Sequence, residues 1–142
     1  MSRSNYSYDC DHLELYRHAV DCALKGRRGQ AFLREMAVAL DAMPVKELIA
    51  GDLVRNDGAV CAIGAVCQAR QLDVSHVDSE SPWRVGRLVG IAESMAAEIA
   101  FENDEHGPDY SPFSPRGLIE SPTKRWQRMR AWVAEQIGGE KV

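Results

Sequence analysis

Apolar residues recur every three or four positions along most of the chain, and five stretches sustain the recurrence well enough to predict a helix. Leu13, Tyr16, Ala19, Val20, Ala23 and Leu24 line one side of the first. Asp11 is its expected cap, Glu14 the capping-box partner and Gly26 the stop. Phe32, Leu33, Met36, Ala37, Leu40 and Met43 stripe a second helix that opens at Gly29 and ends before Pro44. With only "GRRG" between them, the two are expected to pair antiparallel. A third helix should start near Ala62 and run through Val66 and Ala69 to Leu72.

The fourth pattern is the longest. Ser81-Pro82 carries the signature of a helix cap and first position, and Val85, Leu88, Val89, Ala92, Met95, Ala96 and Ile99 fall on one face as far as about Glu102. The opposite face holds Gly86, Gly90, Ser94 and Ala97 between Trp83 and Phe101. Glycine costs about 1 kcal/mol inside a helix, so two on one face predict a close backbone approach, within the chain or in a dimer through the Gly86/Gly90 face. Ser121-Pro122 begins a fifth helix that buries Trp126, Met129, Trp132, Val133 and Ile137 and ends at Gly138-Gly139.

Between the second and third helices, Leu48, Ile49, Leu53 and Val54 precede the turn residues "RNDG", and Val60 and Cys61 follow. That order predicts a small β-hairpin. The stretch "NDEHGPDYSPFSPRGLIE" reads as a long loop, and loops of such length commonly carry function. The expected fold class is therefore mainly α: one helical domain over residues 11–138, with five helices and one small β-hairpin. A flexible arm over residues 1–10 precedes it, and a tail over residues 139–142 follows.

The length of 142 residues suits one domain with a real core, and 45% apolar with 27% charged residues is ordinary for a globular chain. A net charge of −4 weighs against coating nucleic acid through bulk charge but leaves room for a local basic patch. The four cysteines, Cys10, Cys22, Cys61 and Cys67, contain no C-x-x-C pair. No basic-then-apolar leader opens the chain, and no apolar run reaches the ~18 residues that a membrane span needs. A cytoplasmic protein with reduced thiols and no membrane partner is expected.

"DGAVCAIGAVCQAR", residues 57–70, invites a chemical reading. A phosphate-gripping P-loop would need lysine and a hydroxyl after the second glycine, and neither follows Gly64. A nucleophile elbow would need glycine two positions either side of Cys61, where Ala59 and Ile63 stand. Packing at a crowded junction into a helix is the simpler reading, with Cys61 and Cys67 as small hydrophobes. His18 and Cys22 share a helix face, but a metal site would also need Cys10, His12 or His106, and no metal or cofactor is predicted.

Charge is the remaining signal. Glu98, Glu102, Asp104 and Glu105 gather at a helix C-terminus, where acid opposes the macrodipole. They read as a solvated face or as paired carboxylates for acid–base work. Three basic groups stand apart: Lys25 with Arg27 and Arg28, Arg84 with Arg87, and Lys124 with Arg125, Arg128 and Arg130. Cations in a first helical turn also oppose the dipole, and could hold a phosphate or an acidic partner. Tyr110 and Phe113 in the long loop are candidate aromatic anchors.

The segments "GRRGQAFLREM", "DGAVCAIGAVCQAR", "GIAESMAAEIAFENDE" and "SPTKRWQRMRAWV" together resemble a group of small uncharacterised proteins of phages and prophages. The likeness covers most of residues 24–133 and brings no catalytic residue with it. It implies a phage or prophage setting, in which small accessory proteins commonly bind a host protein, including components of defence such as CRISPR-type complexes. With no assembled catalytic constellation and with separate acidic and basic patches, a protein that is not an enzyme and binds a host protein or nucleoprotein complex is the first expectation. The alternative is a nucleic-acid-binding regulator that uses the basic helix ends. A small hydrolase using Cys61 or the acidic cluster ranks third.

Overall fold

The apolar stripes of five elements meet in one core. Val20 and Leu24 come from the first, Leu33, Met36 and Leu40 from the second, Ile63 and Val66 from the third, Met95 and Ile99 from the centre of the chain, and Met129 and Val133 from its last helix. This arrangement is seen in a computed structural model that describes residues 3–4, 13–105 and 120–138. The chain is mainly helical, with six helices among the described residues: α1 (Leu13–Lys25), α2 (Arg27–Ala42), α3 (Ala62–Ala69), α4 (Pro82–Val89), α5 (Glu93–Asp104) and α6 (Pro122–Gln136). The cap expected at Asp11, the loop with Tyr110 and Phe113, Cys10, His12, His106 and the tail over residues 139–142 lie outside the described residues. Arg3 and Ser4, in the stretch read as an arm, are buried. No helix among the described residues is long and apolar enough to cross a membrane.

Two expectations need correction. The helix predicted from Pro82 to about Glu102 is two helices, α4 and α5, broken at Gly90. Gly90 takes the left-handed conformation (φ 84°), and its N–H and that of Ile91 both return to the Gly86 carbonyl at 2.8 and 3.0 Å. This double return closes a helix C-terminus on a glycine. The apolar periodicity survives because α5 resumes three residues later and packs back on α4. The chain itself then covers Gly86, where a Cβ would stand 2.8 Å from the Ile91 carbonyl oxygen, while Gly90 is exposed with open space beside it. The two glycines therefore do not form a dimer face. Gly90→Leu is expected to cost about 1–2 kcal/mol through left-handed strain and to leave the oligomeric state unchanged. Thermal melting and size-exclusion chromatography check both parts, and an unchanged melting temperature would count against the break at Gly90.

The predicted hairpin is also reduced. A single antiparallel bridge, Val54–Val60, stands where paired strands were expected, and no strand forms among the described residues. Two backbone bonds cross between the predicted strands, from the Ile49 N–H to the Val60 carbonyl and from the Cys61 N–H to the Leu53 carbonyl, but other groups take up much of the remaining backbone of residues 48–53. The Leu48 N–H bonds Pro122, the Gly51 N–H bonds Asp104 and the Leu53 N–H bonds Asp52. The Leu48 and Ile49 carbonyls receive Arg125 and Asn103. With these groups committed to the Pro122 carbonyl and to the side chains of Asp52, Asn103, Asp104 and Arg125, the cross-strand bonds do not extend into a ladder. Leu48 and Leu53 still fill the core.

α5 is the central element. It packs against α1, α3, α4 and α6, and its side chains are buried from Met95 to Ala100. Its C-terminus carries the polar residues from which the candidate sites are built.

Candidate functional site

The stretch 57–70 resolves as a helix start held by two side chains. Cys61 is the N-cap of α3, and its Sγ accepts the Gly64 N–H at 3.4 Å. The Asn103 Oδ1 accepts the Ala62 N–H at 3.1 Å, while the Asn103 Nδ2 donates to the Ile49 carbonyl at 2.9 Å and to Asp104. Gly64 is required by closeness, since a Cβ there would lie 1.9 Å from the Leu53 carbonyl oxygen. Arg3 completes the cluster. It is only 4% exposed, grips the Asp104 carboxylate through Nε and Nη2 at 2.8 and 2.7 Å, and directs Nη1 at the Cys61 Sγ from 3.5 Å. Burial pushes the Asp104 carboxyl upward, but Arg3, Asn103 and the Gly51 N–H outweigh it and hold the group below its ordinary value.

This environment positions the thiol and leaves it no room for a substrate. Cys61 is 1% exposed, and burial pushes the Cys67 thiol up to about 11. Cys22 is exposed, with its Sγ 3.5 Å from the His18 Nε2. Site-resolved thiol labelling of the native protein is expected to modify Cys22 quickly and Cys61 and Cys67 slowly. Labelling of Cys61 at the Cys22 rate would mean that its surroundings open in solution. Among the described residues, no three His, Cys, Asp or Glu side chains gather closely enough to hold a metal ion.

The four acids proposed from the sequence as a working surface are committed to the fold. Glu98 is buried and receives both terminal nitrogens of Arg17, at 2.8 and 3.1 Å. Glu102 is buried and engaged, Asp104 holds Arg3, and Glu105 accepts the Ser4 hydroxyl at 3.1 Å. Acid at this helix end opposes the dipole, and the structure answers it with cations. Arg125 and Arg128 of α6 both donate to the Asn103 carbonyl, at 3.1 and 3.2 Å, and Arg128 also reaches the Glu102 carbonyl. These are the last carbonyls of α5, which lack partners inside the helix.

Arg128 is thereby removed from the list of surface cations. Its guanidinium also forms a two-pronged pair with Glu120, at 2.7 and 2.9 Å, and Glu120 is buried. Burial raises the Glu120 carboxyl, but Arg128, Arg125 and Lys124 together bring it below its ordinary value. Lys124 is exposed, so the two residues that share a helix face in the sequence do different work. Arg3, Arg17, Asn103, Glu120 and Arg125 were not singled out as partners by the sequence reading. The one available signal was a polar Arg125 beside Trp126 at the edge of an apolar stripe.

Four of the proposed cations remain uncommitted. Arg27 and Arg28 are exposed at the first turn of α2, and Arg84 and Arg87 are exposed on α4. None pairs with a carboxylate among the described residues. Arg27 and Arg28 border a cleft of about 220 Å³ that also involves Cys22, Gly26, Ile91 and Met95. α2 has no acid in its first turn and no side-chain cap at Gly26. Arg87 lies over the Trp83 ring, 5.0 Å from its centre, and Trp83 is 51% exposed. Folding therefore consumes the acids and leaves these arginines facing solvent. The chain matches no protein-family model, no curated protein and no solved structure.

Proposed function

We propose that the protein acts by binding rather than by catalysis, as a phage-type accessory protein that docks on an acidic surface of a host protein or nucleoprotein complex. CRISPR-type defence complexes are among the candidate partners. The observation that carries this reading is the division of charge. Glu98, Glu102, Asp104 and Arg128 are taken up inside the fold, whereas Arg27, Arg28, Arg84 and Arg87 are exposed and unpaired among the described residues. Two cations at a helix start weaken that helix slightly, so their presence there favours a use outside the fold. Exposed charge clusters of one sign steer and register a complementary partner.

The reading is tested by comparative capture from bacterial lysate, with and without nuclease. The wild-type protein is expected to retain a defined partner. Reversal of one pair, R27E/R28E or R84E/R87E, is expected to reduce that capture at least tenfold. Retention of the same partner by both variants would overturn the reading. Loss of capture after nuclease would move it to the alternative, a nucleic-acid-binding regulator, against which the net charge of −4 weighs.

A further inference from the structure

We infer that the groove beside Trp83 is a docking site for an acidic protein segment carrying one apolar side chain among carboxylates. The inference rests on the binding reading above and names the chemistry of one part of its surface. His76, Val77, Trp83, Arg84 and Arg87 border an open groove of about 210 Å³, room for a single side chain.

Trp83 is one of four large apolar side chains left exposed among the described residues, with Leu15, Val38 and Val45; it is the aromatic one, and Arg87 lies over its ring. Tryptophan and arginine together are the residue types that dominate binding energy when a partner desolvates them. The Arg87 guanidinium over the indole is already oriented, so less side-chain freedom is lost when a carboxylate meets it. Arg84 sits one position past the ring, with its side chain exposed and unpaired among the described residues. An apolar side chain seated against Val77 and the indole would place flanking carboxylates within reach of both guanidiniums.

The neighbouring loop decides between a protein segment and a nucleic-acid strand. Asp73, Asp78 and Glu80 surround the groove in sequence, and the Asp73 carboxylate lies 4.0 Å from the His76 Nδ1. The Asp73 and Asp78 carboxylates accept the Ser75 and Glu80 N–H groups, which holds both side chains against their own loop. A phosphate chain carries charge at every nucleotide, and one that followed the groove past His76 would meet the Asp73 carboxylate. A protein segment can limit its charge to the two positions that meet Arg84 and Arg87.

The test uses the full chain and a short dye-labelled peptide in which one phenylalanine is flanked by a single glutamate on each side in an otherwise uncharged sequence. Three comparison probes accompany it: the lysine counterpart, a version with alanine at the centre, and single-stranded oligothymidine. Anisotropy reads affinity, and the Trp83 indole N–H resonance reports the place. The acidic phenylalanine peptide is expected to bind and to shift Trp83 rather than Trp126 or Trp132. Binding should weaken at least tenfold in W83A and in R84E/R87E, and at least severalfold when alanine replaces phenylalanine. Equal binding of the lysine peptide, tighter binding of oligothymidine, a shift confined elsewhere or no binding of any probe would each overturn the inference. Because the shift is read on the wild-type chain, it does not depend on the folding of any variant. Lysate capture that remains sensitive to R27E/R28E would leave the broader binding reading standing even if the groove fails.

Discussion

Arg125→Leu is expected to lower the melting temperature by about 10–20 °C, which corresponds to about 3–5 kcal/mol for one charge removed from a buried ionic cluster. Arg125 is 6% exposed and joins three parts of the chain. Its Nη1 donates to the Leu48 carbonyl at 3.1 Å, its Nε to the Asn103 carbonyl at 3.1 Å, and its Nε lies 3.4 Å from the Glu120 carboxylate. Leucine would fill much of the volume but leave the Leu48 carbonyl buried without its side-chain donor and remove one of the cations that face Glu120. Arg125→Lys should recover only part of the loss, because one ammonium cannot reach in the directions a planar guanidinium spans. Calorimetry of the three proteins checks the order. A leucine variant that melts within about 3 °C of wild type would mean that this cluster contributes little to stability.

Gly64→Ala should rank next, although it adds a single methyl group. The new Cβ would overlap the Leu53 carbonyl, with 1.9 Å to its oxygen and 2.9 Å to its carbon, and would press on the Val60 Cβ at 3.1 Å. Backbone is on the far side of the contact, so relief requires α3 to move away from the segment it sits on. That movement strains the bond from the Cys61 N–H to the Leu53 carbonyl and the Asn103 bond to Ala62. Overpacking costs about 1–3 kcal/mol, and a contact with backbone that cannot turn aside lies at the upper end. Gly90→Ala is the control, since nothing stands within 4 Å of its added Cβ and only the left-handed backbone resists it. Equilibrium unfolding should find Gly64→Ala the more destabilised of the two. The reverse order would contradict the close approach of α3 to Leu53.

The helices were legible because their apolar stripes have a definite period and their ends carry chemical marks. Ser81 and Ser121 accept the N–H three residues on, as the Ser-Pro pairs predict. The break at Gly90 was not legible, because α4 and α5 stay in phase across the turn and glycine is tolerated on a helix as well as after one. The hairpin was misread for a different reason. "RNDG" does make a turn, with the Gly58 N–H returned to Arg55 and backbone bonds crossing from Ile49, Arg55 and Cys61, but Pro122, Asp52, Asn103, Asp104 and Arg125 take other groups that a ladder would have used. The acidic cluster shows the limit most clearly. Sequence spacing places Glu98, Glu102 and Asp104 near one helix end but says nothing of Arg17, Arg3 or Arg128, which arrive from other elements. Arg27 and Arg84 could be read as exposed because no neighbour on their own helices accounts for them, and no carboxylate partner arrives among the described residues.

Folding uses Arg128 and leaves Arg27 and Arg28 without a carboxylate partner among the described residues. Melting temperatures of R27E/R28E and R128E, measured side by side at low salt, test it without any partner. Glutamates at the first turn of α2 would meet the positive end of the helix dipole and should leave stability unchanged or raise it by about 0.3–1 kcal/mol each. Glutamate at position 128 would face Glu120 and leave the last carbonyls of α5 with fewer donors, and should lower the melting temperature by about 10 °C or more. A fall in R27E/R28E as large as that in R128E would show that the first-turn arginines serve the fold, and would contradict the account.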